Sequence, residues 1–127
     1  NGKILMSNFY AKWNKSVLIK SDDIEFANNK NEKKLIGEIL FDFNDIEKFF
    51  RYFQIKRNYR DVFETIRLDF VYDLTLDRFN MNNLRIDNKS SKKIDKFLNG
   101  YNKAENNSFN KVTIRNFIKE FFQIYAG

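Results

Sequence analysis

Six apolar residues, Ile66, Leu68, Phe70, Tyr72, Leu74 and Leu76, occupy every second position of an otherwise mostly polar run. Side chains on an extended chain alternate between two faces, so this spacing predicts a strand with one dry side. The same chain has no His, Cys or Pro, while 17% of its residues are aromatic. It is rich in packing instructions and poor in reactive groups.

The residues around that run repeat the pattern. Ile4, Met6 and Phe9 to Trp13 predict a first strand or a pair of short ones. Ser16 to Phe26 continues with Val17 and Ile19 on one face, then Ile24 and Phe26, the change of phase at Ser21-Asp22-Asp23 marking a bulge or a turn. Asn28 to Asn31 reads as a polar turn, and Lys34 to Phe43 as the next strand, with Leu35, Gly37, Ile39, Phe41 and Phe43 in phase. Gly37 inside that strand points to a bend or the close approach of another backbone.

Helical spacing then takes over. Asn44 with Glu47 three residues later matches a capping box for a helix over about Asp45–Phe53, whose Ile46, Phe49, Phe50 and Phe53 form an aromatic stripe. A basic connector from Lys56 to Arg60 leads through Val62 and Phe63 into the alternating strand. Asp77-Arg78 predicts the turn back, and the slip of phase at Asn82-Asn83, before Leu84 and Ile86, predicts a bulge. Ser90-Ser91 opens a second helix to about Leu98, with Gly100 as its stop. A linker over 102–108 precedes a last helix, striped by Val112, Ile114, Phe117, Ile118, Phe121, Phe122 and Tyr125. The expected fold is α+β: an antiparallel β-meander with short flanking helices and a C-terminal amphipathic helix packed on the sheet. Its divisions are a sheet with inserted helices over 1–101, the linker over 102–108 and the helix over 109–127.

Composition bounds the function. The 127 residues are one domain's worth of chain or a piece of a larger protein, and 43% hydrophobic with 31% charged is a globular balance. No run approaches the roughly 20 apolar residues of a membrane-spanning helix, and no signal peptide is visible behind Asn1-Gly2-Lys3. The absence of an initial Met suggests a fragment whose missing N-terminal part carries any targeting or anchoring segment. The net charge of +6 admits nucleic acid or anionic lipid as a partner, though heavy use of Lys, Asn, Ile and Phe is also what an AT-rich genome produces.

Chemistry-bearing candidates are few. General acid–base catalysis most often uses His, and there is none. Asp69, Asp73 and Asp77 recur along the outward side of the central strand, with Asp42 on another. Paired carboxylates can hydrolyse glycosides, but this alternation also keeps a strand's exposed face solvated and charge-balanced. Asp22-Asp23-Ile24-Glu25 lacks the spacing of a calcium loop and reads as a surface turn. Four scattered glycines build no phosphate-binding loop. Catalytic, cofactor-binding and metal-ligating residues are therefore expected to be absent.

Two binding readings remain. Arg51 to Arg67, interleaved with Tyr52, Phe53, Tyr59 and Phe63, resembles a stacking platform with phosphate contacts, although Phe53 and Phe63 are better explained as core. The C-terminal helix, with Lys111, Arg115 and Lys119 near its apolar stripe, could lie on an anionic membrane surface, although docking on its own sheet is the commoner fate.

Three stretches carry a family resemblance: Leu35-Ile36-Gly37-Glu38-Ile39 with Phe41-Asp42 and the following Phe49-Phe50; Leu68-Asp69-Phe70-Val71-Tyr72-Asp73 with Asn83-Leu84-Arg85-Ile86-Asp87; and Arg115-Asn116-Phe117-Ile118 closing in Tyr125-Ala126-Gly127. In this pattern of strand and helix phases the chain resembles the C-terminal region of AsmA-like proteins of the alphaproteobacterial type. The resemblance implies a periplasmic location, attachment to the inner membrane through a missing N-terminal anchor, and a non-catalytic part in outer-membrane biogenesis or phospholipid transport between membranes. Its partners would be phospholipid or other envelope proteins, with no small-molecule substrate. The chain departs from the whole-family pattern in having no anchor and too little sheet to span anything. The candidate lipid-facing or core face is Ile39, Phe41, Phe43, Leu68, Phe70, Tyr72 and Leu74; the alternative function is a basic aromatic nucleic-acid-binding module.

Overall fold

Strands whose apolar residues share a parity pair most simply with their sequence neighbours, and the chain does this throughout. The structure is a computed structural model that describes residues 2–104 and 107–127. The described residues form one six-stranded antiparallel meander in sequence order: β1 (Gly2–Trp13), β2 (Val17–Asn28), β3 (Lys33–Phe43), β4 (Thr65–Asp73), β5 (Arg78–Ile86) and the short β6 (Lys89–Ser90). Three helices, α1 (Ile46–Tyr52), α2 (Lys92–Lys103) and α3 (Lys111–Ala126), complete the α+β fold.

Each hairpin has a local cause. Asn14 and Lys15 both adopt positive φ between Trp13 and Ser16, as do Asp87 and Asn88 between Ile86 and Lys89. Two successive left-handed residues make the turn whose twist suits a two-stranded ribbon, and Asn and Asp tolerate that region best. The Asn29 side chain closes the β2–β3 loop by accepting from the backbone N–H groups of Asn31 and Glu32. Asp73 does the same for the β4–β5 turn, accepting from Thr75 and Leu76.

Both anticipated irregularities are bulges. The β2–β3 register shifts between Lys20 and Ile24, so Ser21 and Ile24 both reach the inner face although their numbers differ in parity. The β4–β5 register shifts opposite Arg67–Asp69, with Asn83 at φ 54°, which returns Leu84 and Ile86 to the core.

Several local expectations are corrected. The cap of α1 is Asp45, whose carboxylate accepts from the Lys48 N–H at 3.0 Å, and not Asn44. β4 ends at Asp73, so Leu74 and Leu76 fall in the turn and are exposed. Arg78 already belongs to β5, leaving Asp77 as the last residue of that turn. Val112, expected on the buried stripe, is also exposed. Ser90 lies in β6, and α2 begins after Ser91.

Gly100 does not stop α2, which continues to Lys103. Of the expected linker, Asn102 and Lys103 are helical. The Asn102 amide pairs with the Met81 backbone on both sides, at 2.7 and 2.9 Å. Asn107 is fully buried and donates to Asn80, while its backbone carbonyl accepts from Phe79 N–H. Residues 105 and 106 of the expected linker lie outside the described residues. A methyl group at position 100 would meet nothing within 4 Å. Gly100→Ala should therefore raise stability by about 0.5–1 kcal/mol, because alanine restricts the unfolded chain and favours helix, as urea denaturation would measure.

The core lies between the inner sheet face and the helices. Ile66, Leu68, Phe70, Met81, Leu84 and Ile86 supply the sheet side; Phe49, Phe50, Ile94, Leu98, Phe121 and Phe122 supply the helical side. Phe122 meets Phe50 edge-on at 5.1 Å and stacks on Phe63 at 5.8 Å, so α3 joins α1 and the segment before β4 in one aromatic cluster.

Candidate functional site

Residues directly opposite one another in an antiparallel ladder share a face, so the register maps the whole inner surface. One row runs Trp13, Val17, Phe43; the next Ala11, Ile19, Phe41, Ile66, Ile86. Beyond the β2 bulge come Met6, Ile24, Gly37, Phe70, Met81 and then Ile4, Phe26, Leu35, Tyr72, Phe79. Phe109, just before α3, extends this last row by stacking on Phe79 at 5.4 Å.

The helices cover these rows unevenly. The seven residues of α1 roof one end, where Trp13 packs between Phe49, Tyr52 and Phe53. α2 lies along β5, tied to it through Asn102, and α3 returns beside it with Phe117 on Phe97 and Tyr101. Most of the β4–β5 half is consequently buried, Tyr72 and Phe79 being half-buried at its end. Over the β1–β3 half at the far end, Ile4 is 58%, Met6 43% and Phe9 49% exposed, and Phe26 and Leu35 are half-buried. Ile4, Met6 and Phe9 thus leave apolar side chains open to solvent at this end of the inner face, beside the buried Ile24.

The seven residues nominated from sequence divide across this boundary. Leu68 and Phe70 are buried in the covered half; Ile39, Phe41, Phe43 and Tyr72 are half-buried on the same face; Leu74 stands in the turn at its margin. The open half is built chiefly of Ile4, Met6, Phe9, Phe26 and Leu35, which sequence reasoning placed in strands without singling them out. The signal was present in their alternation, but exposure depends on where the helices end.

The opposite sheet face is charged and internally matched. Glu38 accepts from Arg67 at 2.5 Å and from Arg85 at 3.2 Å, one carboxylate holding two guanidinium groups on neighbouring strands. All three are partly exposed, so the cluster orders this face more than it stabilises the fold. A shallow depression of about 330 Å³ beside it is lined by Lys20, Ser21, Asp22, Asp23, Glu38, Leu40 and Arg67. Asp69 accepts from Asn83 at 3.2 Å, Asp73 caps its turn, and Asp77 accepts from the Tyr72 hydroxyl at 2.7 Å and from the Phe109 N–H. These carboxylates thus serve separate local roles. Among the described residues no group of three or more Asp and Glu is placed to hold a metal ion.

The basic aromatic stretch is also divided. Phe53 and Phe63 are buried, Arg60 donates to the Ile55 carbonyl and lies over Phe50, and Arg67 is held by Glu38. Tyr52 remains exposed, with Arg115 over its ring at 6.0 Å. Among the described residues no helix is long and apolar enough to cross a membrane.

Three phenols are held above their ordinary value. The hydrogen bond to Asp77 does most for Tyr72, and burial does it for Tyr101 and, with help from Asp61 and Asp87, for Tyr125. A raised folded value favours the protonated form, so this stability is complete below pH 10 and is lost as pH climbs through the folded values. Urea titrations of Tyr101→Phe should accordingly show a shallower alkaline loss than those of the parent chain, with the two converging below pH 9.

No family model matches this chain, and no curated protein or solved structure does either.

Proposed function

We propose that this chain is a non-catalytic lipid-handling module, the C-terminal domain of an AsmA-like envelope protein engaged in outer-membrane biogenesis or phospholipid transport between membranes. The open half of the inner sheet face carries the reading: Ile4, Met6 and Phe9 lie exposed beside half-buried Phe26 and Leu35. Acyl chains need dispersion contact and escape from water, with no directed hydrogen bonds, and an apolar face left uncovered by helices offers that. Each methylene transferred from water to such a surface is worth about 0.8 kcal/mol, so partial burial of one acyl chain suffices for retention. Periplasmic placement and an inner-membrane anchor belong to the same proposal and rest on the resemblance.

The test is lipid extraction and mass spectrometry on protein purified from bacterial membranes in mild detergent. Phospholipid should co-purify with the parent chain and fall several-fold in Phe26→Lys, which puts a charge on the open face without entering the aromatic cluster. Consistent absence of phospholipid from the parent, or equal loading of the variant, would overturn the reading.

A further inference from the structure

Residues 48 to 60 carry five cations, Lys48, Arg51, Lys56, Arg57 and Arg60, and no acidic residue. The fold uses one of them: Arg60 donates to the Ile55 carbonyl, lies over Phe50 and sits 3.9 Å from Glu47. The other four stay around α1 and the short 3-10 turn that follows it, Arg57–Tyr59, with Arg51, Lys56 and Arg57 exposed and Lys48 half-buried. Like charges gathered without counter-charges raise the local potential and concentrate anions there.

Two more segments add to this cluster. The Trp13 ring packs on Tyr52 and Phe53, and the Asp45 N–H donates to the Ser16 carbonyl, which brings the β1–β2 turn and its exposed Lys15 beside α1. α3 runs beside the 3-10 turn and lays Arg115 over the Tyr52 ring at 6.0 Å. Among the described residues no carboxylate pairs with Lys15, Lys48, Arg51, Lys56, Arg57 or Arg115. The neighbouring acids are engaged elsewhere: Asp45 caps α1, Glu47 faces Arg60 and Asp61 lies near Tyr125.

The rings among these cations decide which polyanion fits. Single-stranded nucleic acid is held by stacking its bases on open aromatic faces. Here Phe53 stacks on Trp13, Phe63 stacks on Phe122, Tyr59 packs against the core, and Tyr52 meets Trp13 and Phe53 edge-on beneath Arg115. The phosphates of a bilayer surface ask for charge alone, and an exposed tyrosine among cations suits headgroup depth.

We propose that the α1 end of the molecule docks on an anionic phospholipid bilayer, with cations from the β1–β2 turn, α1, the 3-10 turn and α3 facing the headgroup phosphates. This surface is separate from the open half of the sheet. It stands on the placement of charge, whether or not that half holds an acyl chain.

Co-sedimentation with vesicles of phosphatidylcholine and phosphatidylglycerol in equal parts tests it. The parent chain should bind these vesicles, ignore vesicles of phosphatidylcholine alone, and dissociate as salt rises. Each cation near such a surface multiplies binding roughly fivefold, so Arg51→Gln with Arg57→Gln should weaken it about 25-fold while circular dichroism stays unchanged. Lys30→Gln with Lys33→Gln removes the same charge from exposed positions of the β2–β3 loop, at the other end of the sheet, and should cost less than about twofold. Phe26→Lys, the variant that tests the open face, should bind vesicles as the parent does, so the two readings fail separately. No binding to the mixed vesicles, equal binding to phosphatidylcholine alone, equal loss in the two double variants, or tighter binding to a single-stranded oligonucleotide at the same salt would overturn the proposal.

Discussion

Phe50→Ala should destabilise the chain by about 3–5 kcal/mol, enough to unfold a large fraction of it if its total stability lies in the usual 5–15 kcal/mol range. Phe50 is fully buried, and it and Phe122 are the two largest side chains sealed from solvent among the described residues. It meets Phe122 edge-on at 5.1 Å, and the Arg60 guanidinium lies 5.9 Å from its ring. Truncation removes the transfer energy of the ring and leaves a void between α1 and α3. That void collapses poorly because strands on one side and two helices on the other hold its walls. Phe50→Leu keeps most of the volume and should cost only part as much, chiefly the lost edge-to-face contact of about 0.5–1.5 kcal/mol. Urea denaturation with both variants separates cavity from contact; equal costs for Ala and Leu would mean that packing at this site is loose.

Gly37→Val should lose about 2–3 kcal/mol although valine is among the best strand residues. Preference for an extended backbone would favour valine by up to about 1 kcal/mol. Steric overlap opposes it. A Cβ at position 37 would lie 2.9 Å from the Asp23 carbonyl oxygen and 3.2 Å from a ring carbon of Phe70. The first of these is backbone at the β2 bulge and cannot swing aside, and overpacking a filled site usually costs about 1–3 kcal/mol before a second methyl is counted. The bulge and the glycine are one device: the extra residue in β2 pushes its backbone inward, and the missing side chain on β3 makes room. Together with the gain expected for Gly100→Ala, the pair tests whether each glycine is there for space or merely tolerated. A stabilised Gly37→Val would show that the β2 bulge relaxes freely, contrary to this account.

How much was legible beforehand differs by element. Alternation in β3 and β4 and the helical stripe of α3 stand out because every second or every third-to-fourth residue reports the same environment. The bulge at Asn82-Asn83 was readable for the same reason, since a slip of phase between two good half-strands needs an extra residue. The α1 cap was misplaced by one position because Asn44 and Asp45 are both good caps; the choice falls to whichever side chain reaches the third N–H, and Asp45 reaches Lys48. Gly100 misled because glycine weakens a helix without ending it, and Asn102, bonded twice to the Met81 backbone, holds the last turn against β5. Leu74 kept the parity of the central strand, yet Asp73 turned the chain first by accepting from Thr75 and Leu76.

By itself, then, the order of residues determined the α+β class, the meander, both irregular strands and the apolar identity of one sheet face, because all of these follow from short-range periodicity. Tertiary structure alone decided that this face is half roofed. A seven-residue α1 reaches only one end, α2 is tethered to β5, and α3 docks on α1 and α2 through Phe122 and Phe117. Exposure of Ile4, Met6 and Phe9 is set by where distant segments stop, and no local pattern encodes a neighbour that fails to arrive.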